Sequence, residues 1–122
     1  MEKLWFCALD ISKLRIGIAL GYPQLITPLK IIKCEDFKEE LLKIKKQYKN
    51  VQFVIGLPHP RYNNFKFIKD FTHRYKELLK PFFFQEEDYS SILATDNKNQ
   101  VHDDIAACVI LESFFLSTCY NK

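Results

Sequence analysis

The acids of this chain are placed where they could do chemistry. The apolar run Leu4-Trp5-Phe6-Cys7-Ala8-Leu9 stops at Asp10. Glu86-Glu87 follow Phe82-Phe83-Phe84-Gln85, and Asp103-Asp104 open a long apolar stretch. A carboxylate at the tip of a buried strand is costly to desolvate unless a cation holds it. Three such groups on one sheet edge would bind a hard divalent cation such as Mg²⁺, which prefers oxygen ligands. Each acid also has a plainer reading. Asp10 suits a turn, Asp103 a first helical turn stabilised by the helix dipole, and Glu87 a solvated surface. A shared site explains all three placements together.

The elements that must position these acids are legible from periodicity. Residues 4–9 are continuously apolar, as expected of a strand covered on both faces. Residues 15–20 and 26–33 supply two more strands, and Pro28 assigns the third to a sheet edge. The short link from Asp10 to Leu14 predicts a hairpin, and so an antiparallel first pair. Phe37, Leu41, Ile44 and Tyr48 then fall at helical spacing among Lys and Glu. Val51–Ile55 reads as a strand stopped by Gly56-Leu57-Pro58, followed by a loop with Pro60, Asn63 and Asn64. A second helix carries Ile68, Phe71, Tyr75 and Leu78 and ends at Pro81, before a strand over 82–85. Residues 95–100 are a polar loop. From Asp103 to about Ser117 the chain predicts a helix apolar nearly all round, with Asp103 in line with Ala107, Ile110 and Phe114. The order β-β-β-α-β-α-β-α implies one α/β domain over 1–122, a mixed sheet with helices on its faces.

At 122 residues, with eleven Phe and only three Gly, the chain predicts a dense core with short connections. A net charge of +3 permits a polyanionic partner without requiring one. Cys7, Cys34, Cys108 and Cys119 show neither C-x-x-C nor zinc-ligand spacing, which reads as free thiols in a reducing compartment. Glu2 and Asp10 interrupt any signal-peptide pattern, and no stretch reaches the roughly 20 apolar residues of a membrane span. A soluble cytoplasmic protein is expected.

Four segments carry a collinear resemblance across nearly the whole chain. Ala8-Leu9-Asp10-Ile11-Ser12-Lys13-Leu14-Arg15-Ile16-Gly17-Ile18-Ala19 resembles the D-x-G-x-x-R-I-G-x-A opening of the YqgF/RuvX family. Val54-Ile55-Gly56-Leu57-Pro58 is similar to its V-G-L-P strand end. Gln85-Glu86-Glu87-Asp88-Tyr89-Ser90-Ser91 resembles D-E-R-x-[ST]-T, with Glu87 on the glutamate. Asp103-Asp104-Ile105-Ala106-Ala107-Cys108-Val109-Ile110-Leu111-Glu112-Ser113-Phe114 resembles its closing helix, with Asp103 on the aspartate. Three departures stand out: Ser12 replaces a glycine, Asp88 replaces an arginine, and the segment between Glu87 and Asp103 is short.

The resemblance implies an RNase H-like fold with a mixed five-stranded sheet, three antiparallel strands then parallel ones, and helices on both faces. It implies a nuclease using Mg²⁺, with Mn²⁺ as the alternative, held by Asp10, Glu87 and Asp103 as catalytic and metal-binding residues. Glu86 and Asp104 are neighbours that could replace either of the latter two. Arg15 is the expected phosphate clamp, and His59, Arg61 and Asn63 would track a nucleic-acid backbone. His102, beside Asp103, is a candidate proton shuttle. The implied substrate is precursor small-subunit (pre-16S) rRNA, with branched DNA of Holliday-junction type as the alternative and ribosomal particles as partners. A binding relative without turnover is the reading that the three departures favour. No membrane role is expected, and a monomer or weak dimer is. Lys43, Lys45, Lys46, Lys49, Lys66, Lys69, Arg74 and Lys76 read as solvated helix faces.

Overall fold

The computed structural model describes residues 4–86 and 103–118. Its sheet is built from β1 (Phe6–Ile11), β2 (Arg15–Tyr22), β3 (Leu25–Lys33), β4 (Gln52–Leu57) and β5 (Phe82–Glu86). The strand order is β3-β2-β1-β4-β5. β1 pairs antiparallel with β2 and parallel with β4; β2–β3 is antiparallel and β4–β5 parallel. The first three strands therefore form a meander and the last two arrive by helical crossovers, as the element order predicts.

Pro28 does sit on the edge strand, at an irregularity where Ile18 pairs with Lys30 but Ala19 with Pro28. A missing N–H is tolerated there because, among the described residues, no further strand pairs with that edge.

Period-two alternation divides the sheet into two faces. Cys7, Leu9, Ile11, Ile16, Ile18, Leu20, Phe53 and Ile55 face a core covered by α1 (Phe37–Gln47) and α2 (Asn64–Arg74). Phe6, Ala8, Ala19 and Val54 face the other way, against Ala107, Ile110, Leu111, Phe114 and Phe115 of the last helix. Here that helix is α4 (Asp103–Thr118). Phe114 and Phe115 lie 5.6 and 5.2 Å from Phe6 between ring centroids. Small residues on the strands leave room for these large ones on the helix.

Two elements differ from expectation. The apolar run ends at Leu9, yet β1 continues through Asp10 to Ile11. Asp10 is thus a strand residue with a defined face, not a turn residue. The helix expected to carry Ile68 through Leu78 breaks at Tyr75 into α2 and a short α3 (Lys76–Leu79). Lys45, expected to be solvated, donates a 2.6 Å hydrogen bond to the Leu78 carbonyl, satisfying a backbone acceptor at the end of α3. Lys66 pairs with Asp70 at 3.0 Å, and Lys69 lies 4.9 Å from the Phe84 ring centroid. Several of the helix lysines therefore have structural partners.

Candidate active site at the sheet rim

Asp10 shares the α4 face with Phe6 and Ala8 and is half-buried. Its direct partner on β2 is Gly17. On the other flank the β1–β4 ladder reaches Leu9–Ile55, so the next residue of β4 beside Asp10 is Gly56. Gly56 in turn pairs with Gln85 of β5. The lateral positions directly beside Asp10 on both neighbouring strands are thus glycines. Two of the chain's three glycines are used in this way.

The hairpin that holds Asp10 is closed by Ser12. Its backbone N–H donates to the Arg15 carbonyl at 2.9 Å, and its hydroxyl donates to the same oxygen at 2.8 Å. The hydroxyl also accepts from the Arg15 N–H at 3.2 Å. Glycine's backbone freedom is not needed, since Asn50 is the only non-glycine at positive φ among the described residues. The Cys34 thiol braces the turn by donating to the Ser12 carbonyl at 3.1 Å, and burial pushes its pKa up, with Glu35 adding to the shift. Ser12 is thus a structural substitute for the expected glycine.

Arg15 opens β2, and alternation puts it on the face of Gly17 and Asp10. The loop after β4 leaves the sheet at this same rim. There the Arg61 N–H donates to His59 Nδ1 at 3.1 Å, and the Tyr62 N–H to the His59 carbonyl at 3.0 Å. A neutral imidazole accepting at Nδ1 carries its proton on Nε2, which is left as a donor. The Arg61 guanidinium lies 5.2 Å from the Tyr62 ring centroid. Asn63 precedes α2 and is exposed, with no side-chain capping bond.

The two remaining acids stand differently. Glu87 and His102 lie outside the described residues. Asp103 begins α4 in helical register with the buried Ala107, Ile110 and Phe114, and is described through its backbone only. Eleven helical residues separate it from Phe114, about 16 Å, and four strand residues separate Phe6 from Asp10, about 13 Å. Since Phe114 rests on Phe6, α4 is long enough to bring its start level with Asp10.

The neighbouring acids can be sorted by face. Glu86 alternates with Phe82 and Phe84, which pack into the α1/α2 core, so it is on the opposite face from Asp10. Phe83 and Gln85 share the α4 face: Phe83 is 5.3 Å from Phe114, and the Ser117 hydroxyl donates to Gln85 Oε1 at 3.3 Å. Asp104 Oδ1 accepts the Ile105 N–H at 2.9 Å, a bond within the first turn of its own helix. Among the described residues no three His, Cys, Asp or Glu groups converge as a metal cluster.

Lys33 is a rim residue that sequence reasoning missed. It pairs directly with Arg15 across β2–β3, a neighbourhood that only strand register reveals.

A family model described as RuvX, Holliday junction resolvase, matches residues 4–117. A Mycoplasma mobile protein named "Putative pre-16S rRNA nuclease" is 35% identical over 135 aligned positions, covering 93% of this chain and 91% of that one. Thermus thermophilus RuvC, solved with a Holliday junction substrate, superposes with a TM-score of 0.64 at 9% identity, covering 95% and 96% of the two chains. That likeness establishes the mixed α/β fold.

Proposed function

The chain belongs to the RuvX family, and from that membership we propose that it is a divalent-metal-dependent nuclease acting on precursor small-subunit rRNA. The observation that carries the reading is Asp10: a half-buried carboxylate on a central strand, at the rim, with glycines on both flanks. The relative's printed name supports the rRNA substrate. A four-way DNA junction is the alternative.

The donor chemistry fits a hard dication. The strand residues sharing Asp10's face include neither cysteine nor histidine, and every candidate ligand is a carboxylate. In this proposal Glu87, directly after β5 in sequence, and Asp103, at the start of α4, complete the set begun by Asp10. When bound, Mg²⁺ or Mn²⁺ supplies an activated water and charge neutralisation at the scissile phosphate.

The chain's own groups do the positioning. The Arg15 guanidinium grips two non-bridging oxygens in a planar fork. His59, through Nε2–H, Arg61 and Asn63 contact the backbone on the β4 side of the rim. No described helix is long and apolar enough to cross a membrane, and in this proposal the nuclease works in the cytoplasm.

A second reading, a binding relative without turnover, is favoured by Asp88 standing where the family motif has arginine. Isothermal titration with MnCl₂ separates the two. A nuclease binds the ion, and Asp10→Asn abolishes the binding heat. Wild-type protein that takes up no Mn²⁺ would leave only the second reading.

A further inference from the structure

Arg15 and Lys33 oppose each other directly across the β2–β3 ladder. Their shared face follows from their neighbours. Lys30 reaches Glu40 of α1 at 3.1 Å, and Ile32 packs into the α1/α2 core, so Lys33 points to the α4 side with Arg15 and Asp10. Lys33 is exposed and is in no ion pair among the described residues.

Asp10, Arg15 and Lys33 lie on three successive strands, so the rim runs from carboxylate to guanidinium to ammonium over about 10 Å of sheet. The run ends at the sheet edge, because among the described residues β3 has no further strand beside it. Lys13 occupies the turn of the same hairpin. The loop bearing His59 and Arg61 lies on the opposite side of Asp10, after β4. Cations therefore flank the acid on both sides, at a spacing suited to a polyanion passing over it.

We infer that Lys33, beside Arg15, contacts a backbone phosphate outside the cleavage position and carries the nucleic-acid strand over β2 to the β3 edge. The inference rests on the nuclease reading for its ligand and deepens it by naming the exit path.

The test is fluorescence anisotropy in EDTA across a KCl series, with a labelled precursor-rRNA fragment and a labelled four-way DNA junction. Lys33→Ala is compared with Lys43→Ala, which removes the same charge from an exposed position on α1, on the other side of the sheet. For the probe that binds, Lys33→Ala flattens the slope of log K against log[KCl] by about 0.7–0.9, the loss of one phosphate contact. Lys43→Ala leaves the slope unchanged. A wild-type slope in Lys33→Ala, equal losses in both variants, or binding of neither probe overturns the inference. Cleavage is scored separately: slope loss without any wild-type cleavage sinks the nuclease reading alone, and cleavage with an unchanged slope sinks only the role of Lys33.

Discussion

Asp10 and Gly17 are direct partners across the β1–β2 ladder, and both face α4. A central strand normally surrounds each residue with cross-strand side chains. Here the partner on one flank is glycine, and Gly56 stands on the other. The two ladder positions directly beside this carboxylate therefore carry no side chain.

The alternation of β5 leads to a prediction that separates two adjacent acids. Glu86 falls on the α1/α2 face with Phe82 and Phe84. Glu86→Gln is expected to cleave near the wild-type rate, whereas Glu87→Gln loses at least about 100-fold. Single-turnover cleavage of a labelled substrate measures both. Equal losses would show that the face assignment does not govern the chemistry.

Gly21 is required by close approach. A Cβ there would stand 2.3 Å from the Leu25 carbonyl oxygen and 2.8 Å from the Ile26 Cα, both backbone atoms. Gly21→Ala is expected to destabilise the fold by about 1–3 kcal/mol through overpacking. Urea denaturation checks it, and an unchanged midpoint would contradict the packing.

Much of this was legible in the chain, for identifiable reasons. The stripe Phe37-Leu41-Ile44 and the apolar run before Asp10 state their period directly, and Pro28 marks its edge. Asp10 itself obscured the end of β1: a polar residue breaks an apolar run without breaking a strand, and only the pairing with Gly17 shows that the strand continues. The break at Tyr75 has no Gly or Pro to announce it. The helix beginning at Asp103 reads as apolar nearly all round, yet Ile105 and Leu116 are exposed, because packing against one face of a sheet uses only part of its circumference. Lys33 was invisible for a different reason. It lies 18 positions from Arg15 in sequence, and their adjacency exists only in the register.

Cys7 sets an alkaline limit on stability. Burial holds its thiol far above the ordinary value, with Glu40 adding to the shift. The folded state therefore keeps a proton that the unfolded chain releases. The resulting stability is fully present below about pH 9 and is lost as pH rises. Above that point the loss grows with each further pH unit, as the unfolded thiol ionises while the folded one does not. Urea unfolding from pH 8 upward checks this against Cys7→Ala, whose curve is expected to be flatter. Parallel curves for the two proteins would rule Cys7 out as the source.

The most direct test of the central claim is Mg²⁺-dependent cleavage of precursor small-subunit rRNA by wild-type protein and by Asp10→Asn, with circular dichroism confirming that both are folded. The expected result is cleavage by the wild type and none by the folded variant. A folded Asp10→Asn protein that cuts at the wild-type rate would contradict the assignment of Asp10 as the acid on which the chemistry turns.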